Sequence, residues 1–147
     1  WARLRWLLTA GGVYVDLDIE AVKRFDLLAG NSFYCGHEGG DAYANNAIMG
    51  AEAGHPFVYE MMAYTRTFPL DHAEFPNETG PRMITNLLVK HGWDRNVNAT
   101  QQLEDGAITV YPSKTFYPYF WKERYSPDCV TPDTVAIHHW ASSWVTT

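Results

Sequence analysis

Gly11-Gly12-Val13-Tyr14-Val15-Asp16-Leu17-Asp18-Ile19 is the stretch on which the reading of this chain turns. Its first half is β-branched and aromatic, the composition of a buried strand, and an acidic-x-acidic triplet closes it. On an extended backbone Asp16 and Asp18 point to one side and Leu17 points into the core. Two carboxylates leaving a strand end together can hold a hard divalent cation, directly or through water, with positions left for phosphate oxygens. Such a triplet alone more often marks a solvated strand end. Here a helix, a double glycine and an apolar strand precede it, which sets it apart from a surface helix.

Upstream, Trp1, Leu4, Leu7 and Leu8 recur at the spacing of one helix face over Trp1 to Ala10, and Gly11-Gly12 supplies the left-handed cap that ends the helix. No N-cap precedes this helix, so the sequence is expected to be a piece lacking its N-terminal part. Downstream, Phe25, Leu27 and Leu28 pack a connection. Ser32 to His37 reads as a short strand and Glu38 to Ala44 as a glycine-containing loop. Asn45 to Ala51 fits strand or helix. His55-Pro56 opens a helix to about Thr67, with proline in its first turn. Leu70 to Thr79 reads as loop. Thr79-Gly80-Pro81 opens a helix to about Lys90, stopped by Gly92. Ala107 to Tyr111 is a strand, Phe116 to Trp121 irregular or partly helical, and Thr134 to His139 a last strand, followed by Trp140 to Trp144. Strands alternating with helices predict a single α/β domain over residues 1–147, with ligands beyond the carboxyl ends of the strands. Asp16, Asp18 and His138 fall there.

Composition narrows the function classes. The chain has 147 residues, 46% hydrophobic and 19% charged, enough to bury roughly 68–70% of its unfolded surface. The net charge is −6, from 11 basic and 17 acidic residues, and no Lys/Arg run is present. Nucleic acid is therefore not the expected partner, and an acidic protein handling a phosphorylated substrate needs a metal to bridge like charges. Aromatics reach 15%; such rings build cores and also sugar platforms. Cys35 and Cys129 do not make a disulfide framework; two unpaired thiols is the simpler reading. Cys35-Gly36-His37 lacks the paired spacing of a zinc motif. No run of 18 apolar residues suggests a transmembrane helix, and no signal peptide is visible. Asn77-Glu78-Thr79 and Asn98-Ala99-Thr100 are sequons that matter only in a secretory compartment.

The stretch from Arg3-Leu4-Arg5 through Gly11-Gly12-Val13-Tyr14-Val15-Asp16-Leu17-Asp18 resembles the DXD-motif sugar-transferase family, which includes fungal α-1,6-mannosyltransferases and bacterial capsular polysaccharide transferases and is related to the glucosyltransferase domains of large cytotoxins. Asn45-Asn46-Ala47-Ile48-Met49-Gly50 with His55-Pro56, Thr79-Gly80-Pro81, and Ala136-Ile137-His138-His139-Trp140-Ala141-Ser142-Ser143-Trp144 resemble further family segments, in the family's order. The family's Asp three residues before Arg3 would fall ahead of Trp1.

The resemblance implies a GT-A-like fold without its N-terminal nucleotide-binding portion, and a retaining transfer of a hexose from a nucleoside-diphosphate sugar, UDP- or GDP-linked, to a glycan or lipid-linked acceptor. It implies Mn²⁺ or Mg²⁺ on Asp16, Asp18 and His138, with His139 as the fallback. Arg3, Tyr14, Asp16, Ser143 and Trp144 are expected at the donor; a guanidinium fork, a hydroxyl and an indole N–H suit phosphate and sugar oxygens. Asn46, or Asn45, is expected at the reacting sugar together with the acidic pair, and Asp41 near the acceptor. The expected location is cytoplasmic, at the inner membrane face, in a bacterium, and the Golgi lumen in a eukaryote. Two other readings compete: a non-catalytic carbohydrate- or metal-binding module, and a hydrolase using two carboxylates without metal.

Overall fold

The computed structural model describes residues 1–67 and 78–141. Most of the loop expected from Leu70 to Thr79, the Asn77 sequon asparagine, and Ser143 and Trp144 lie outside the described residues. Within them the chain runs α1 (Ala2–Ala10), β1 (Gly12–Val15), β2 (Ile19–Ala21), β3 (Phe33–His37), β4 (Ala44–Ala51), α2 (Pro56–Thr65), α3 (Pro81–Lys90), β5 (Gln101–Leu103), β6 (Ile108–Tyr111), α4 (Ser113–Phe116) and β7 (Ala136–His138).

Five strands form one sheet in the order β1-β4-β3-β6-β5. β3 and β6 are parallel and the other neighbours antiparallel. Asn45 to Ala51 is thus a strand: β4 is buried along its whole length between β1 and β3. β5 was not foreseen, since three polar-rich residues, Gln101-Gln102-Leu103, carry too little pattern to read. β1 is an edge strand with Val13 and Val15 exposed, not the buried strand its composition suggested.

Side chains alternate along β3 and divide the core. Phe33 and Cys35 face α1, α2 and α3, which contribute Leu4 and Leu7, Phe57, Val58, Met61 and Met62, and Met83, Ile84, Leu87 and Leu88. Spacings of three, four and five put each set on one helix face, and each fully buried apolar chain contributes about 1.5–3 kcal/mol. Trp1, expected on the buried face of α1, is exposed. Tyr34 faces the opposite layer with Leu28, Ile48, Phe116, Tyr117, Val135 and Ala136. Cys35 and Cys129 are free thiols. The helix starts follow the expected chemistry: His55 Nδ1 accepts the Phe57 N–H at 3.2 Å, and proline stands in the first turn of α2 and of α3. Gly11 caps α1 at φ 67°, its N–H donating to Leu7 O at 2.9 Å.

His91, the C-cap of α3, ties three elements together. Its Nε2 lies 2.7 Å from Glu60 Oε2 on α2, and its Nδ1 lies 2.8 Å from Glu104 Oε1. The hydrogen bond to Glu104 and then that to Glu60 raise its pKa above the usual histidine value. A raised folded-state pKa contributes stability that is complete below the unfolded value, about 6.5, and fades as pH climbs through the folded value. His91→Gln is therefore expected to lower the melting temperature at about pH 6 and to change it little at about pH 9. Equal losses at both pH values would show that the imidazolium contributes nothing.

Candidate functional site

The acidic triplet departs from the extended geometry expected for it. β1 ends at Val15, the Asp16 N–H donates to Ala47 O at 2.8 Å, and the chain then turns, with Ile19 N–H donating to Asp16 O at 3.2 Å. This is an i to i+3 reversal, so Leu17 sits at its apex, fully exposed, and not in the core. The turn, not the strand pleat, brings the carboxylates together.

The turn delivers the chain into β2, which pairs antiparallel with β7 in register Ile19↔His138, Glu20↔Ile137, Ala21↔Ala136. That pairing carries the end of the chain to the acids. Asp16, Asp18 and His138 each offer a ligand atom, and these atoms lie within 4.8 Å of one another. His138 Nε2 is 3.2 Å from Asp18 Oδ2. Burial lowers the pKa of His138 from its usual value, against the pull of Asp18 and Asp16, which favours the neutral imidazole. Its Nδ1 is buried without a hydrogen-bond partner among the described residues, and the Trp140 ring lies 4.0 Å from the imidazole, centroid to centroid. Trp140 holds a left-handed backbone, φ 52°, the kind of strained position found at functional sites. Just past it, the Ala141 N–H reaches Asp18 Oδ2 at 3.0 Å. His139 points elsewhere, Nε2 lying 2.8 Å from Glu20 Oε2.

Each acid has one oxygen held by protein donors. Asp16 Oδ1 accepts from the Tyr14 hydroxyl and from Arg3 Nη1, the latter at 3.4 Å. Asp18 Oδ2 accepts the Ala141 N–H and lies 3.2 Å from His138 Nε2. The second oxygen of each has no partner among the described residues. Arg3 also donates to Asn46 O at 3.2 Å and lies over the Tyr14 ring, 4.7 Å from its centroid. Burial, and then the bond to Asp16, push the Tyr14 hydroxyl up to about 12, so it stays a donor.

An irregularity in β4 builds the floor. Tyr34 pairs with Gly50 and Gly36 with Asn45, so Cys35 alone spans residues 46–49 across the ladder, a bulge of the kind that re-aims side chains beside active sites. Asn45 fixes it from within: its Oδ1 accepts the Ala47 N–H and its Nδ2 donates to Glu38 Oε2, both at 2.8 Å. Asn45 is therefore spent on the scaffold. The Asn46 side chain makes no hydrogen bond among the described residues, and its carbonyl joins the Arg3 cluster. Asp41 lies apart from the acids, accepting the Trp121 indole N–H at 3.1 Å.

Arg3, Tyr14, Asp16, Asp18, Asn46 and His138 thus gather at one edge of the sheet. The sequence reading gave no role to Glu38 or to the Trp140 turn. An acid at the carboxyl end of a strand, just as Asp16 is, was the signal available for Glu38.

The arrangement is that of an α/β protein whose functional groups collect where strands end. Residues 50–146 match the family model of the alpha 1,4-glycosyltransferase conserved region; the chain belongs to that glycosyltransferase family, and its fold is GT-A-like. His138 lies inside the matched stretch and the acidic pair lies before it. No curated protein and no solved structure matches the chain. Among the described residues no helix is long and apolar enough to cross a membrane.

Proposed function

We propose that this chain carries out metal-dependent transfer of a hexose, with retention, from a nucleoside-diphosphate sugar to a hydroxyl of a glycan or lipid-linked acceptor. The observation that carries this reading is the convergence of Asp16, Asp18 and His138 in a chain of a glycosyltransferase family.

The residues fit a divalent cation. Each carboxylate has one oxygen without a partner among the described residues while the other is fixed, and burial favours the neutral imidazole with its lone pair. Oxygen donors with one imidazole suit Mn²⁺, and Mg²⁺ as its substitute. When bound, such an ion stabilises the charge growing on a diphosphate leaving group as a Lewis acid. The chain's own groups do the rest. Tyr14 and Arg3 hold Asp16 in place. The Ala141 N–H holds Asp18, which leaves the lone pair of His138 Nε2 for the cation. Arg3 is close enough to the acids to meet a donor phosphate or sugar oxygen, and the Asn46 amide, without a hydrogen bond among the described residues, is the group for the reacting sugar. Ser143 and Trp144 supply a hydroxyl and an indole N–H to the diphosphate. UDP- and GDP-hexoses are the donors to try, and the mannosyl and capsular branches of the resemblance set the first acceptors.

The test is turnover of these nucleotide-sugars with and without Mn²⁺. Release of nucleoside diphosphate that requires Mn²⁺ and stops on chelation is expected. Turnover that survives chelation, as in a two-carboxylate hydrolase, would overturn the reading, as would a metal-loaded chain that neither binds nor consumes any nucleotide-sugar.

A further inference from the structure

Behind the acidic cluster lies a second concave site. A cleft of about 570 Å³ opens between the loop after β3, the segment around Arg95 to Asn98, and the segment from Tyr117 to Glu123. Tyr117 separates it from the acids. Tyr117 is one of the residues lining the cleft, and its ring packs edge-on against His138, centroids 5.7 Å apart, while its hydroxyl reaches Asn45 O at 3.5 Å.

Glu38 lies in the wall of this cleft, only 7% exposed. Its Oε2 takes the Asn45 amide at 2.8 Å, and its Oε1 has no partner among the described residues. A carboxylate buried this deeply and left half-used is costly unless something else completes it. Burial holds its pKa above the usual carboxylate value. Tyr119, Phe120, Asn96 and Asn98 line the cleft with it, the Asn98 amide bonded through both ends to Ser113, and Trp121, its indole bonded to Asp41, packs against Phe120 with ring centroids 5.6 Å apart.

The charge of the cleft selects its ligand. Glu38 and Glu123, the latter accepting the Phe120 N–H, line the cleft together with Arg95, whose guanidinium is engaged with Asp41 O at 3.2 Å and stacked over Tyr43, 5.0 Å from the ring centroid. Two acids and one occupied cation repel a diphosphate. Aromatic faces with carboxylate and amide edges suit a neutral saccharide, which offers apolar C–H faces and hydroxyl donors.

We propose that this cleft is the acceptor-saccharide site and that Glu38 Oε1 accepts the hydrogen bond of an acceptor hydroxyl, orienting the sugar across Tyr117 from the acidic cluster. This rests on the transferase reading above, yet binding needs neither metal nor nucleotide, so the two fail separately.

The experiment is titration of the ¹⁵N-labelled chain with methyl β-galactoside, methyl β-glucoside and methyl α-mannoside in the absence of metal and nucleotide. Saturable amide shifts at Gly39, Gly40, Asn96 and Asn98 are expected with at least one hexoside. Glu38→Gln is the decisive variant. Its amide oxygen can still take the Asn45 N–H, which leaves an N–H₂ facing the cleft where a hydrogen-bond acceptor stood. Binding at least about tenfold weaker in this folded variant is expected, the scale of one hydrogen bond to a charged group. Tyr119→Ala, which leaves the Glu38–Asn45 pair intact, is expected to weaken binding as well. Unchanged affinity in Glu38→Gln would overturn the role of Glu38. Shifts confined to Asp16, Asp18 and their neighbours, or no saturable shift with any of the three, would overturn the cleft as the acceptor site.

Discussion

Asp18→Asn is expected to abolish Mn²⁺ binding and metal-dependent turnover while leaving the fold intact. The asparagine keeps a side-chain oxygen for the Ala141 N–H, so the C-terminal segment stays tied to the turn. It removes the charge and one of two carboxylates in a cluster whose ligand atoms all lie within 4.8 Å. Loss of a supporting group around a metal costs about 10–100-fold in affinity or activity, so loss of a charged ligand is expected to exceed about 100-fold. Mn²⁺ titration followed by electron paramagnetic resonance, beside a melting curve, separates the two effects. Wild-type Mn²⁺ affinity in the folded variant would remove Asp18 from the proposed site. Asp18→Ala, which strips the anchor as well, is expected to lose both metal and some thermal stability.

The largest effect on stability is expected at Gly50. In β4 it faces Val13 of β1 and Tyr34 of β3, and a Cβ there would lie 2.0 Å from Tyr34 Cε1 and 2.2 Å from Cζ. The Tyr34 ring has little room to yield, with Phe116 stacked at 6.2 Å and Tyr111 edge-on at 6.1 Å between centroids. Overpacking of this kind costs about 1–3 kcal/mol and sometimes more, out of a total of about 5–15 kcal/mol for a domain. Gly50→Ala is therefore expected to lower the urea midpoint sharply and the melting temperature by roughly 10 °C. In a Tyr34→Leu background the added methyl finds space, and the extra cost is expected to fall below about 1 kcal/mol. Equal costs in both backgrounds would mean that the clash with Tyr34 is not the cause.

Helix boundaries were legible from sequence because their signals are local. Gly11 ends α1, and His55-Pro56 and Gly80-Pro81 open α2 and α3, through backbone chemistry that acts within one turn. The acids and His138 were legible as candidates because charged and imidazole groups after apolar strands are conspicuous. Their geometry was not legible. Leu17 looked like a core residue on a pleated strand, yet the reversal at Asp16 throws it into solvent, and only the long-range pairing of Ile19 with His138 decides that. The ambiguity over Asn45 to Ala51 has the same origin. A strand buried on both faces loses the alternation that marks a half-buried one, and its bulge depends on Glu38 and Asn45 side chains that no periodicity reveals.

The bond between Ala141 N–H and Asp18 joins residues 123 positions apart, and β2 pairs with β7 across nearly the same interval. Contacts this remote in sequence form late, because so much chain must first be ordered. A nascent polypeptide therefore cannot assemble the acid–imidazole corner until translation has passed Ala141, and loss of the chain from β7 onward would remove that corner while the strands of the five-stranded sheet all lie before it.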